Sequence, residues 1–250
     1  MPWRDEPTPY HALVSELMLQ QTQVGRVLPK YEQFLRRFPD VASLAAAPLS
    51  DVLSAWSGLG YNRRAKFLHA AAQRVMSEYE GELPNTSAGL TDLPGVGKNT
   101  AGAVMAYAFN QPVVFIETNV RTVFFHHFFE DRTDVDDKEL LPLVEQACDP
   151  DHPREWYWAL MDYGTHLKQT RGNNISQSKH YARQSKFEGS RRQVRGKIVK
   201  MLVVGPLPLS ELISLAKDER AESVVGDLVR EGFVEKNEGQ LRLTGGVELP

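Results

Sequence analysis

The chain has 250 residues, 42% of them hydrophobic and 24% charged, with a formal net charge of −3. That length supports one large core or two modest ones, and no apolar run approaches the roughly 20 residues of a membrane span. The single cysteine, Cys148, excludes an intramolecular disulfide framework and any multi-cysteine metal site. Met1 leads into Pro2-Trp3-Arg4-Asp5 without the apolar core of a signal peptide, so a reducing, cytoplasmic setting is expected.

Residues 1–170 read as mostly helical. Thr8-Pro9 has the form of an N-cap and first helical residue, ahead of Leu13, Val14, Leu17 and Met18 at helical spacing. Further helical patterns follow at Val24–Arg37, Ser43–Ala47, Leu49–Trp56, Asn62–Tyr79, Lys98–Phe109, Thr118–Phe129, Lys138–Ala147 and Arg154–Thr165. Phe38-Pro39-Asp40, Gly58-Leu59-Gly60, Gly81, Gly95/Gly97 and Gln111-Pro112 separate them as turns. Val113–Ile116 reads as a connector into a helix.

The run Leu93-Pro94-Gly95-Val96-Gly97-Lys98-Asn99-Thr100 opens the 98–109 pattern. Glycine admits positive φ and close backbone approach, and the first N–H groups of a helix point outward with a dipole that favours anions. Such a turn grips a phosphate without a basic side chain. Equally, it is an ordinary turn between two helices with glycine after the first.

Residues 168–190 lose the periodicity and read as a basic linker. Between residues 168 and 200 lie ten Lys and Arg against one acid, Glu188, on an otherwise acidic chain. A local basic stretch attracts polyanions, although such a run is also the ordinary composition of a solvated linker. Order returns with a helix at Arg192–Val203, a short helix capped by Ser210 and running to Ala216, and a third at Ala221–Glu231. Phe233–Lys236 and Gln240–Leu243 then flank Asn237-Glu238-Gly239, a hairpin signal. This is the order of a winged helix. Its third helix offers Arg220 and Arg230 among Glu219, Glu222, Asp227 and Glu231, which favours a packing or protein-contact role over DNA reading.

Three further segments stand out: Ser15-Glu16-Leu17-Met18-Leu19-Gln20-Gln21-Thr22, Trp56-Ser57-Gly58-Leu59-Gly60-Tyr61-Asn62-Arg63-Arg64 and Ile116-Glu117-Thr118-Asn119-Val120-Arg121. With the glycine turn, Pro2-Trp3-Arg4 and Met161-Asp162-Tyr163-Gly164, they resemble, from Pro2 to about Gly164, the helix-hairpin-helix DNA glycosylases, nearest to the MutY-type adenine branch. The resemblance implies an all-α, two-lobed glycosylase domain at 1–167. The linker at 168–190 and a winged-helix-like α+β domain at 191–250 would follow. It also implies double-stranded DNA carrying a mismatched or damaged base as partner, a monomer, no membrane association and a cytoplasmic, nucleoid-associated location.

Cleaving an N-glycosidic bond needs a proton for the departing base and negative charge beside an oxocarbenium-like sugar. Taken alone, a glutamate on an amphipathic helix is a solvated residue; the resemblance makes Glu16 the acid. Glu117 falls where the family keeps an aspartate facing the sugar, a methylene longer, displacing the carboxylate by about 1.5 Å on an unchanged backbone. Asn119 would orient the carboxylate or water. Asn99 stands where bifunctional relatives carry a lysine nucleophile, and an amide cannot form a Schiff base, so a monofunctional enzyme is expected.

The resemblance further implies that Gln21 and Tyr61, with Gln20 beside them, wedge into the duplex while the base is flipped; Tyr61 has a core alternative. Gly95, Val96, Gly97, Lys98 and Thr100 would hold a phosphate, with a monovalent cation on the turn carbonyls. Arg63, Arg64 and Lys98 are phosphate contacts or solvated charges. Trp3, Arg4, Asn99 and Trp158 would line the base pocket. Trp158 stands where adenine-specific relatives place Glu or Gln, and indole is a donor only.

Two modules of the relatives are not expected here. The four cysteines that hold an iron–sulfur cluster fall on Lys168, Ile175, Ser178 and Gln184, so no cluster is expected. The winged-helix-like tail stands in place of a Nudix-like module. His126 and His127 face different directions on a helix, so no metal is expected there. Three readings remain at this level: an adenine glycosylase acting on A opposite 8-oxoguanine or G, a thymine, uracil or damaged-base glycosylase, and a DNA-binding protein of this fold with little catalysis.

Overall fold

The computed structural model describes residues 1–244; residues 245–250, the end of the expected third domain, lie outside the described residues. In chain order the helices are α1 (Pro2–Asp5), α2 (Pro9–Leu19), α3 (Val24–Arg37), α4 (Val41–Ala46), α5 (Leu49–Trp56), α6 (Arg63–Glu78) and α7 (Ser87–Asp92). There follow α8 (Lys98–Tyr107), α9 (Thr118–Phe128), α10 (Asp137–Ala147), α11 (Pro153–Thr170), α12 (Arg191–Val204), α13 (Leu209–Ala216) and α14 (Ala221–Arg230). Strands β1 (Leu207–Pro208), β2 (Val234–Asn237) and β3 (Gln240–Leu243) accompany the last three helices. Among the described residues no helix is long and apolar enough to cross a membrane.

The chain forms two compact units, each built from segments distant in sequence. One joins Trp3–Glu16 to Leu83–Gln184; the other joins Leu17–Glu82 to the described residues 185–244. These borders do not coincide with the composition breaks at 167 and 190.

In the first unit, α7 and α8 form a helical hairpin whose first helix is capped by Thr86, with Gly89 N donating to its hydroxyl at 3.1 Å. Leu90, Leu93 and Val96 bury the inner side of its turn. Helix α11 packs against α8 and α9. It runs five residues beyond the expected end at Thr165, so Lys168 is helical. The segment after it is also ordered by the body rather than left as a linker. Asn174 Nδ2 donates to Thr122 O at 3.1 Å, Gln177 Nε2 donates to Phe129 O at 3.0 Å, and Val135 pairs with the chain around Ser178. Cys148 is part-buried at the end of α10.

In the second unit, Val27, Tyr31, Phe34, Leu44, Leu53, Trp56 and Leu68 make one core. The C-terminal segment has its own, from Ile198, Leu212, Val225, Leu228, Phe233, Leu241 and Leu243. Its element order is helix–strand–helix–helix–strand–strand, with sheet order β1-β3-β2, all antiparallel. That is a winged helix, with β1 as the strand the sequence pattern missed. Asn237 pairs with Gln240, so the hairpin loop is the two residues Glu238 and Gly239, both at positive φ. Pro208, rather than Ser210, stands at the N-cap of α13.

Two acids at the C-terminal end of α14, Asp227 and the capping Glu231, are paired with arginines, while Glu222 is exposed. Asp227 pairs with Arg191 and Arg230, and Glu231 with Arg63 and Arg195. Lys66 of α6 donates to Gly232 O at 3.1 Å and lies 5.1 Å from the Phe233 ring centre. These contacts tie the end of the third helix to α6 and α12 within the second unit.

Candidate active site

Glu16 projects from a turn of α2 whose neighbours Leu13, Val14, Leu17 and Met18 are all buried. Removing its carboxyl from water disfavours the charged form, and the like charge of Glu117 adds to that, so its pKa is pushed up to about 8. The two carboxyls share one environment in the first unit. Tyr107 of α8 feels both, and burial and these charges push its hydroxyl pKa up further.

Glu117 is the N-cap of α9. Its Oε1 accepts from Asn119 N at 2.5 Å and Val120 N at 3.0 Å. Burial raises its pKa, opposed by those two N–H groups and by the cations of Lys168 and Arg121. The segment leading into it is fixed from two sides. Asn99 Nδ2 donates to Ile116 O at 2.7 Å. Tyr157 Oη accepts from Phe115 N at 3.1 Å and donates to Val113 O at 3.0 Å, while its ring stacks on Phe115 at 4.1 Å. Asn99 thus holds the carboxylate's backbone in place, in addition to the pocket position expected for it.

Asn119, in the first turn of α9, contacts α11. Lys168 Nζ donates to its Oδ1 at 2.6 Å, and its Nδ2 donates toward Met161 Sδ at 3.6 Å. A Cβ on Gly164 would fall 2.7 Å from Asn119 Cβ, so only glycine lets α11 come this close. Tyr107, Tyr157, Gly164 and Lys168 were not singled out as site residues in the sequence. The spacing of Met161, Gly164 and Lys168 along one helix face was the available signal for the last two.

Trp158 is half-buried, its ring 6.3 Å from that of Tyr107 and inclined by 29°. Arg4 lies over it with Cζ 5.5 Å from the ring centre, and Arg154 at 6.0 Å. Arg4 is fixed by a two-pronged pair with Asp162, both contacts at 2.9 Å. Trp3 is half-buried on α1.

At the hairpin turn, Gly95 has φ +79°, the left-handed region. Gly97 is the N-cap of α8 with no side-chain cap, and a Cβ there would meet open space. Lys98 is exposed and Thr100 buried. Val96 is a core residue, and its N–H donates to Leu93 O at 3.1 Å, so it offers a ligand no donor.

The second unit carries the other expected residues. Gln21 and Tyr61 both sit at positive φ, +53° and +48°, a conformation non-glycine residues adopt at a cost. Gln20 is exposed beside Gln21 and Tyr61 is 36% exposed, so the core reading of Tyr61 does not hold. Arg63 is 60% exposed and pairs with Glu231 at 3.1 Å. Arg64, read as a phosphate contact or solvated charge, is neither: it is buried, donating to the carbonyls of Leu17, Met18 and Gln20 at 2.8, 2.9 and 2.5 Å and to Gly60 O at 3.2 Å. It ends α2 and ties the loop before Gln21 to the loop before Tyr61.

Residues 14–148 match the HhH-GPD superfamily of base excision DNA repair proteins. The adenine DNA glycosylase of Mycolicibacterium smegmatis is 32% identical over 267 residues, 98% of this chain and 91% of that protein. That of Mycobacterium tuberculosis is 44% identical over 124 residues, 49% of this chain and 41% of that protein. The Buchnera aphidicola (Baizongia pistaciae) adenine DNA glycosylase is 35% identical over 66% of this chain, which spans about half of that relative's length, 47%. Among solved structures, a thermostable thymine-DNA glycosylase is 30% identical with a TM-score of 0.59 over 66% of this chain and 77% of that one. An endonuclease III–DNA complex, 20% identical, shares the fold with a TM-score of 0.59 over 67% of this chain and 78% of that one.

Proposed function

This chain belongs to the HhH-GPD superfamily of base excision DNA repair proteins, and from that premise we propose that it is a monofunctional DNA N-glycosylase removing adenine from mismatched duplexes. The observation that carries the reading is Glu16, a carboxyl with a pKa of about 8 that shares its environment with a second carboxyl anchored on a helix N-terminus. At neutral pH the first holds a proton and is poised to give it to the departing base. The second, Glu117, faces the positive charge that grows on the deoxyribose as the bond breaks. Water then completes the hydrolysis, returning a proton to Glu16, and Asn119 orients that water. Asn99 donates an amide hydrogen bond and offers no amine, so no Schiff base forms at its position and strand cleavage does not follow base release.

Duplex DNA is the substrate. The uncapped N-terminus of α8 behind Gly97 would take a backbone phosphate, with Lys98 beside it, and the turn carbonyls would take a monovalent cation. Gln21 and Tyr61 would enter the stack when the base leaves it; their strained backbones, braced by Arg64, support this. The enzyme acts as a monomer in the nucleoid.

No cysteine-ligated cluster fits this chain. Its one cysteine lies outside the segment concerned, Lys168 is engaged with Asn119, and Ser178 pairs beside Val135. The polar contacts of Asn174 and Gln177 hold the segment in its place.

Trp158 favours a second reading. Stacked on Tyr107 and covered by Arg4, it offers one indole donor where adenine recognition uses paired acceptors. A thymine or uracil glycosylase would suit that pocket. Duplexes bearing A opposite 8-oxoguanine, A opposite G, and T or U opposite G, treated with alkali after incubation, separate the readings. Release of adenine supports the first, and release of pyrimidine with adenine intact supports the second. No release from any duplex leaves a DNA-binding protein with little catalysis.

A further inference from the structure

We propose that Lys168 is a positioning residue of this chemistry: from the face of α11 that docks on α9 it fixes the Asn119 amide and supplies the counter-charge to Glu117. The inference rests on the glycosylase reading of Glu16 and Glu117.

Lysine has three donors and no acceptor, so its 2.6 Å contact with Asn119 decides which way the amide points. Oδ1 is turned to Lys168, and Nδ2 is left on the opposite side, near Met161 Sδ. An amide so oriented presents a donor to water or a carboxylate. Met161, Gly164 and Lys168 lie at i, i+3 and i+7, a single stripe, and Gly164 is what brings it against Asn119.

The charges around Glu117 are few. Glu16 faces it from α2, Tyr107 lies by from α8, Arg121 stands on its own helix and Lys168 reaches in from α11. Arg121 is committed to a two-pronged pair with Asp137 at 2.7 and 2.6 Å. Lys168 holds Asn119 Oδ1 at 2.6 Å, and Asn119 N donates to Glu117 Oε1 at 2.5 Å, so Lys168 places its charge one residue from the carboxylate and has no carboxylate partner of its own among the described residues. It is half-buried, which lowers its pKa, while Glu117 pulls the other way. A lysine in a solvated basic linker would do neither.

The test compares Lys168→Met and Lys168→Arg with wild type by single-turnover base release against pH, and by affinity for the same duplex. Loss of the cation destabilises ionised Glu117. Lys168→Met is therefore expected to lower the rate by about 10- to 100-fold, leave Kd within about threefold, and move the acidic limb of the profile to higher pH. Lys168→Arg is expected to restore both rate and limb substantially. A wild-type rate and profile in Lys168→Met overturns the proposal, as does a loss confined to Kd or one without a shifted limb. Trapping of an adduct on Lys168 by borohydride overturns it too, because the lysine would then be a nucleophile.

A second measurement is independent of activity. Between pH 5 and pH 8, Lys168→Met should lose more melting temperature than wild type, and this excess should vanish in a Glu117→Gln background. Parallel curves for Lys168→Met and wild type contradict the charge pairing. If Glu16→Gln retains full activity while the thermal cycle holds, the catalytic reading fails and the pairing stands.

Discussion

Glu117 caps the helix that begins with Thr118, its Oε1 accepting from Asn119 N at 2.5 Å. The side chain folds back onto its own helix, with Val120 N donating to the same oxygen at 3.0 Å. Aspartate is an equally good N-cap. Glu117→Asp should therefore keep the melting temperature within about 2 °C and the single-turnover rate within about tenfold. Glu117→Gln, which keeps an acceptor and loses the charge, should lose at least about 100-fold.

Stability should depend on pH through Glu16. Its folded pKa, about 8, lies above the ordinary value of 4.5. A carboxyl raised in the folded state contributes stability that is fully present below pH 4.5 and is lost as the pH rises through 8. At pH 9 the buried charge costs on the order of a few kcal/mol. Glu16→Gln should thus melt several degrees above wild type at pH 9 and together with it at pH 4.5, as followed by differential scanning fluorimetry.

Arg64 and Arg63 are neighbours with opposite expectations. Arg64→Met leaves the carbonyls of Leu17, Met18 and Gln20 without their donor and should cost about 3 kcal/mol. Arg63→Ala removes an exposed pair with Glu231 and should cost less than about 1 kcal/mol. Urea denaturation of the two variants decides this.

The two glycines of the hairpin turn separate folding from binding. Gly95→Ala forces φ +79° on a side chain and should destabilise by about 1 kcal/mol. Gly97→Ala meets open space and should leave the melting temperature unchanged. Its methyl would stand where a phosphate approaches, weakening duplex binding at least about tenfold by fluorescence anisotropy. Unchanged affinity in Gly97→Ala would assign the turn to structure alone.

Most helices were legible from periodicity and turn residues: Val24–Arg37 and Leu49–Trp56 match to the residue. α1 and β1 are too short to show a period, and the last five residues of α11 carry too few apolar side chains to reveal it. Glu16, Glu117 and Asn119 were singled out through the family motif, and the structure brings Glu117 into contact with Asn119 and into the field of Glu16. Arg64 was misread because a buried arginine and a surface arginine look alike in sequence; only the chain ends it closes on tell them apart. Lys168 was hidden in a run of basic residues, and its role depends on Asn119, 49 positions away.

The central claim is that Glu16 delivers the proton. The most direct measurement is the single-turnover rate of adenine release from a duplex with A opposite 8-oxoguanine, between pH 5 and 10, for wild type and Glu16→Gln. The wild-type rate should fall about tenfold per unit above pH 8, and Glu16→Gln should run below about 1% of wild type at every pH. A Glu16→Gln rate within threefold of wild type, or a wild-type rate that stays flat through pH 8 to 10, would contradict it.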